Sequence, residues 1–387
     1  MEVNILTYFD NAATTFPKPE SVYAFADKFY REFGVNIGRG QHKQASIASK
    51  LRNETRALLL DLFHCPAKKA VFMHSATEAI NVILQGLNMS DNYNIYLSPF
   101  EHNAVTRVIY HLQSVYKLNV RTLEVDRKTL TYDIERIKYQ FAEDKPHYVV
   151  VSHASNVCGL IAPIKEICKL SKAYNATNII DMAQTAGLID TDISSSIYDF
   201  VVFAGHKTLY APFGIAGFIC DGNAALKPLM FGGTGNDSGK QNLPATIPER
   251  FEVGSPNIAA IAGLNASVKW ITETGIENIH KQERDKHAEL LYVLRKFKNI
   301  TIICPANINN SIGVVSCVFD CYSSDNIGQI LSEHDIAVRT GFHCAPHAHK
   351  FLDTFPEGTV RFSVSYFNTQ EDFEKLRKAL QYIADNS

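Results

Sequence analysis

HYVVVSHASN, residues 147–156, is a short run of β-favouring side chains that stops abruptly in polar ones. Two later stretches share its shape: NATNIIDMAQ (175–184) and YDFVVFAGHK (198–207). Between the first two lies APIKEICKLSKAYN (162–175), where Ile164, Ile167, Cys168 and Leu170 recur roughly at helical spacing. Strand, helix, strand in that order predicts parallel pairing in an α/β sheet, because parallel neighbours need a crossover and the helix supplies it.

In such a sheet, ligands gather beyond the carboxyl ends of the strands. The polar residues after the three runs are therefore candidates to face one site: Asn156 after the first, Asp181 and Gln184 around the end of the second, His206 and Lys207 after the third. Any one of them alone reads as a turn cap; recurrence at three strand ends favours a shared site. Upstream, HSATEAINVILQGL (74–87) carries Ala79, Ile80, Ile83, Leu84 and Leu87 on one helix face. Ser75 and Glu78 are spaced as a capping box, which predicts a helix starting near Thr77. Free N–H groups at a helix start favour an anion, phosphate above all. A lysine after one strand, an aspartate on its neighbour and a phosphate-binding helix start together suggest pyridoxal phosphate. The lysine would join the aldehyde, and the carboxylate would keep the pyridine nitrogen protonated so that the ring can accept electrons.

The remaining chain sets limits. Its 387 residues are 46% hydrophobic, with 38 basic against 40 acidic side chains, enough for one large domain and a smaller one. The near-neutral balance and the lack of a basic run argue against nucleic acid or a membrane surface as partner. MEVNILTYFD has no signal-like pattern and no stretch is long enough to span a bilayer, so a cytoplasmic enzyme is expected. The eight cysteines form no C-x-x-C pair and read as reduced thiols, with Cys168, Cys220 and Cys317 in apolar runs as core residues. After about Ala260 two long helical patterns, then strand-like IGVVSCVF (312–319) and TVRFSVSYF (359–367), and a final helix at 370–384, predict a smaller α+β domain. The expected division is 15–262 for the large domain and 263–387 for the small one, joined by segment 1–14.

RTGFHCAPHAHK (339–350) packs one cysteine and three histidines into a dozen residues. Thiolate and imidazole are the usual zinc ligands. Yet His343 and Cys344 are adjacent, no second ligand cluster with zinc-ribbon spacing exists, and a metal would sequester the thiol. No metal is expected, and His347 and His349 read as loop or helix-start residues.

Taken as a set, DMAQTAG, FAGHKTLYAPFGIAG, EHNAV, SHASNVCG, RFEVGSPN and RTGFHCAPHAH resemble the motifs of the class V aminotransferase family. Within it the chain resembles the cysteine desulfurases with a short catalytic loop, the group that also contains selenocysteine lyases. The resemblance runs from YFDNAATTFPKPESV to TVRFSVSYFNT. It implies the fold-type I architecture of pyridoxal phosphate-dependent transferases, a large domain with a mostly parallel sheet plus a smaller domain. It also implies roles. Lys207 would carry the cofactor, Asp181 would pair with the pyridine nitrogen, Gln184 would neighbour the ring hydroxyl, and His102 would stack on the ring. Ala76, Thr77 and His206 would hold the phosphate, with Ser255 reaching it across a homodimer interface. Asn156 would lie near substrate and cofactor, and Arg361 would bind the substrate carboxylate through its planar fork. Arg339 is a second candidate positioner. Cys344 would be the nucleophile that takes sulfur, with adjacent His343 as a candidate helper. One departure stands out: Ala204 precedes GHK where many relatives carry a hydroxyl.

The implied reaction converts L-cysteine to L-alanine, with sulfur moving to Cys344 as a persulfide and then to an acceptor protein or small thiol. L-Selenocysteine lyase and β-eliminating cysteine C–S lyase activities would use much of the same site. A non-catalytic zinc- or sulfur-binding scaffold is the reading from another class, disfavoured because the catalytic set is retained.

Overall fold

Seven strands form the central sheet: β1 (Lys69–Met73), β2 (Asn94–Leu97), β3 (Asn119–Thr122), β4 (Tyr148–Ser152), β5 (Thr177–Asp181), β6 (Phe200–Ala204) and β7 (Ala216–Cys220). The structure is a computed structural model that describes residues 6–37, 42–235 and 239–386. The strand order is β1-β7-β6-β5-β4-β2-β3. Strands β2 to β6 are parallel, and β7 runs antiparallel to both of its neighbours. The three runs read from the sequence are thus β4, β5 and β6, side by side and parallel, with helix α3 below (Ile164–Lys172) as the first crossover.

The helices used below are α1 (Ala76–Gly86), α2 (Asn103–Val115), α3 (Ile164–Lys172), α4 (Ile258–Thr274), α5 (Ile276–Leu294), α6 (Pro346–Phe351) and α7 (Gln370–Asp385). Alternation along the strands explains why both faces of the sheet are covered. Val150, Ile179 and Val202 share a buried cluster with Ile80, Ile83, Val105 and Ile109 of α1 and α2. Their neighbours Val149, Val151, Ile180, Val201 and Phe203 point the other way, into a cluster with Ile167 of α3 and Ile261, Leu264 and Val268 of α4. Cys168, Cys220 and Cys317 are buried, and all eight cysteines are free.

A second sheet combines β8 (Ile300–Ile303), β9 (Val314–Phe319), β10 (Arg339–Gly341) and β11 (Thr359–Ser363) in the order β8-β9-β11-β10, all antiparallel. Leu290 and Leu294 of α5 and Leu376 and Leu380 of α7 bury its core with Val315 and Phe362. The N-terminal stretch reaches this region, since Thr7–Tyr8 pairs in parallel with Ile336–Ala337 and Asp10 forms a bridge with Ser363. Residues 1–5 of the segment expected to join it lie outside the described residues. Among the described residues no helix is long and apolar enough to cross a membrane.

The turn after β6 constrains the site directly. Gly205 donates its N–H to the Ile215 carbonyl at 3.0 Å and accepts from the Ala211 N–H at 2.8 Å. A Cβ there would lie 2.5 Å from the Ile215 oxygen, so only glycine lets the chain fold back and deliver His206 and Lys207 to the strand ends. Replacing Gly205 with alanine is expected to lower the unfolding free energy of the cofactor-free protein by about 1–3 kcal/mol, the usual cost of overpacking. A denaturant titration with an unchanged midpoint would contradict this close approach.

Candidate active site

The carboxyl ends of the parallel strands open into a cavity of about 230 Å³. Eleven of the twelve residues singled out from the sequence line it: Ala76 and Thr77 from α1, His102 before α2, Asn156 after β4, Asp181 and Gln184 at the end of β5, His206 and Lys207 after β6, and Arg339, Cys344 and Arg361 from the second sheet and its loop. Ser255 is the exception. It is exposed and lines a separate cavity of about 360 Å³ with Arg52, Arg56 and Glu252.

On the large-sheet side, Asp181 ends β5 and accepts the Ala183 N–H at 2.9 Å. Burial raises its pKa, while that hydrogen bond and the positive Lys207 oppose the rise. Burial likewise lowers Lys207 to about 8, against the pull of Asp181. Gln184 donates to the Ala12 carbonyl at 2.9 Å, which fixes the amide and leaves its oxygen to face a donor. His102 caps α2, its Nδ1 accepting the Ala104 N–H at 3.0 Å. Burial, with Lys207, Arg339, Arg361 and Arg107 nearby, lowers its pKa to about 4. A neutral ring with Nδ1 as acceptor carries its proton on Nε2.

The helix start differs in one detail from the capping box expected. Ser75 accepts the Glu78 N–H at 3.1 Å, but the Glu78 carboxylate accepts from His74 at 2.8 Å, one residue earlier than the reciprocal pattern, and the helix begins at Ala76. The first-turn N–H groups of Ala76 and Thr77 have no helical partner by position and lie at the cavity wall. In the same cavity, His206 stacks on Phe213 with ring centroids 4.6 Å apart, and its buried Nδ1 has no hydrogen-bond partner. An unpaired ring nitrogen and a helix start in one cavity suit a phosphate. With Asp181 and Lys207 placed as they are, the residues fit pyridoxal phosphate.

On the other side, Arg339 and Arg361 sit directly opposite each other on β10 and β11. Arg361 is 1% exposed. It donates to the Asn156 carbonyl at 3.0 Å and to Asp10 Oδ1 at 2.7 Å, and its Nε is buried without a partner. Arg339 Nη2 lies 3.6 Å from Cys344 Sγ. His343 does not help the thiol in the way adjacency suggested: its Nε2 pairs with Thr359 Oγ1 at 2.8 Å, and Arg339 is the group within reach of the sulfur.

The loop that presents Cys344 is bent and pinned. His343 and Cys344 both adopt left-handed backbone, φ 48° and 57°, at a cost of about 1–2 kcal/mol each. Asn156 Nδ2 donates to the His343 carbonyl and the Asn103 N–H to the Cys344 carbonyl, each at 2.7 Å. His347 and His349 lie on α6, as expected for helix-start residues. His347 is exposed, and His349 Nδ1 pairs with Thr354 Oγ1 at 2.7 Å, so the loop histidines turn to different partners. Sequence reasoning missed Asp10 and Ser152. Asp10 is 351 residues from Arg361, and nothing local marks it; Ser152 ends a strand beside Asp181, and that position was the available signal.

A family model described as aminotransferase class-V matches residues 7–376. A probable cysteine desulfurase from Pyrococcus abyssi is 31% identical over 386 residues, spanning 97% of this chain and 94% of the relative. A cysteine desulfurase from Yersinia pseudotuberculosis is 30% identical over 390 residues, spanning 98% and 93%. Among solved structures, the apo cysteine desulfurase from Thermococcus onnurineus NA1 matches with a TM-score of 0.92 and 27% identity, covering 99% of this chain and 95% of that one.

Two outcomes follow from this geometry. Only the neutral amine of Lys207 attacks an aldehyde, so capture of pyridoxal phosphate by cofactor-free protein should quicken with rising pH through about 8. A midpoint near 10.5, the ordinary lysine value, would contradict the burial argument. Ala204 lines the same cavity as Ala76 and Thr77, and Ala204→Ser should tighten cofactor binding about fivefold by adding one hydrogen bond of about 1 kcal/mol; weaker binding in an absorbance titration would count against a phosphate held there.

Proposed function

Because the chain belongs to the class-V aminotransferase family of pyridoxal phosphate enzymes, we propose that it is a cysteine desulfurase, converting L-cysteine to L-alanine and taking the sulfur on Cys344. One observation carries this reading. A thiol, Cys344, faces the same cavity as Lys207, Asp181 and Arg361. A β-eliminating lyase has no use for that thiol.

In this reading Ala76, Thr77 and His206 hold the phosphate, Asp181 faces the pyridine nitrogen, Gln184 faces the ring hydroxyl and His102 packs on the ring. Bound there, pyridoxal phosphate supplies an electron sink for bonds around the amino acid's α carbon. Arg361 binds the substrate carboxylate. Its fork is aimed in advance, since Asp10 and the Asn156 carbonyl fix two nitrogens and leave Nε unpaired. Asn156 also holds the nucleophile loop, so one side chain links the arginine and the thiol.

Lys207 Nζ, deprotonated more readily than an ordinary lysine, removes the α proton. Arg339 Nη2, 3.6 Å from Cys344 Sγ, holds the sulfur of the nucleophile in the cavity. That sulfur attacks the substrate sulfur: the substrate carbon–sulfur bond breaks and a sulfur–sulfur bond forms on Cys344. The β carbon takes the proton given up by the Cys344 thiol, Lys207 Nζ returns its proton to the α carbon and L-alanine leaves, so L-cysteine and the Cys344 thiol become L-alanine and a Cys344 persulfide. A small thiol or acceptor protein then removes the outer sulfur. The protein works as a homodimer in the cytoplasm, with Ser255 of one subunit completing the phosphate site of the other; its exposure outside the cavity of its own chain supports that arrangement.

The test is the carbon product from L-cysteine, cofactor-loaded protein and a thiol reductant. Alanine with matching sulfide is expected, and Cys344→Ala should abolish both. Pyruvate in place of alanine, or full sulfide release by Cys344→Ala, would overturn the reading. Arg361→Lys should raise KM for L-cysteine about tenfold, the loss of one charge-assisted hydrogen bond; an unchanged KM would remove Arg361 from the carboxylate site.

A further inference from the structure

Glu101 is wholly buried, next to His102 in sequence, and has no part in the chemistry above. Its surroundings explain why a carboxylate is there. The β2–β4 ladder ends with Leu97 opposite Val150, after which the Ser98 N–H still reaches the Val150 carbonyl at 3.1 Å. Beyond that point the chain leaves the sheet to start α2. In β4 successive N–H groups point to opposite neighbours, and His153 donates to the Asp181 carbonyl on the β5 side. The Ser152 N–H therefore faces the side β2 has vacated, where a buried donor without a partner would be costly.

Glu101 Oε1 accepts that N–H at 2.6 Å, in the place of the missing strand carbonyl. The same oxygen meets Ser98 Oγ at 2.5 Å, and Oε2 accepts from Ser152 Oγ at 2.9 Å. Ser152 is the register partner of Asp181 and lines the cavity. One side chain thus ties the corner that carries His102 to the strand position beside Asp181.

We propose that Glu101 is a positioning residue that fixes the spacing between His102, on one face of the cofactor ring, and the β4–β5 strand ends that carry Asp181. The role deepens the functional reading above and rests on it. It is geometric rather than ionic. Burial with Asp181 close by raises the Glu101 pKa to about 7, so a neutral group is compatible with the site. A glutamine can replace each contact: its oxygen accepts from Ser152 N–H and Ser98 Oγ, and its amide donates to Ser152 Oγ.

The test is titration of cofactor-free protein with pyridoxal phosphate, without L-cysteine, following affinity and the shape of the visible absorption band. Because no amino acid is present, failure of the desulfuration reading would leave this result standing on its own. Glu101→Gln should bind within about twofold of the unmodified protein with the same band, and Glu101→Ala should bind about tenfold more weakly with an altered band. In a His102→Ala background, Glu101→Ala should add no more than about twofold, because the histidine it positions is gone. If Glu101→Ala does not fold, Glu101→Asp takes its place with the same expectation, since it keeps the charge but withdraws the carboxylate. A glutamine variant as weak as the alanine one, additive losses in the double variant, or no loss on truncation would each overturn the proposal.

Discussion

Asp181 and Lys207 are brought together by strand pairing. Asp181 lies opposite Val202 on parallel neighbours, and the glycine turn after β6 returns Lys207 to the edge where β5 ends. Desolvation acts on both groups in the neutral direction, raising the acid and lowering the amine, and the charge of each opposes the shift in the other. An amine near the middle of its titration at ordinary pH can both join an aldehyde and move a proton. The rest of the site depends on keeping this pair dry and close, which requires both faces of the sheet to be covered. The alternation of Val149 to Ser152 and Phe200 to Ala204 achieves that by feeding two apolar clusters at once.

The second sheet supplies the opposite charge pattern. Two arginines face each other across β10 and β11, an arrangement that repels unless anions separate them. Asp10 occupies one fork of Arg361, and the sulfur of Cys344 lies beside Arg339. A carboxylate entering the cavity completes the balance. Under the proposed function the architecture divides the work: parallel strand ends would hold the ring and its phosphate, and the antiparallel sheet would handle the amino acid and the thiol. Asn156 crosses between them, bonded to both Arg361 and the loop.

Local pattern made much of this legible. The strand–helix–strand unit, the polar groups at three strand ends and the capped helix were readable because each depends on side chains within a few residues of one another. What the sequence concealed is tertiary. The Asp10–Arg361 pair joins the two ends of the chain, and the Glu101–Ser152 contact exists only because β2 stops two residues before β4 does. His343, in left-handed backbone, pairs its Nε2 with Thr359, sixteen residues further along the chain. Ser255 lies outside the cavity of its own chain, and the resemblance, rather than any local feature of GSPN, assigns it to a second subunit's site.

The central claim is that Cys344 takes sulfur from L-cysteine. Its most direct test is mass analysis of peptides after the cofactor-loaded protein has turned over L-cysteine without reductant. The account predicts one additional sulfur atom on the peptide bearing Cys344, lost on adding a thiol. Turnover with Cys344 unmodified, or with the extra sulfur on another cysteine, would contradict it.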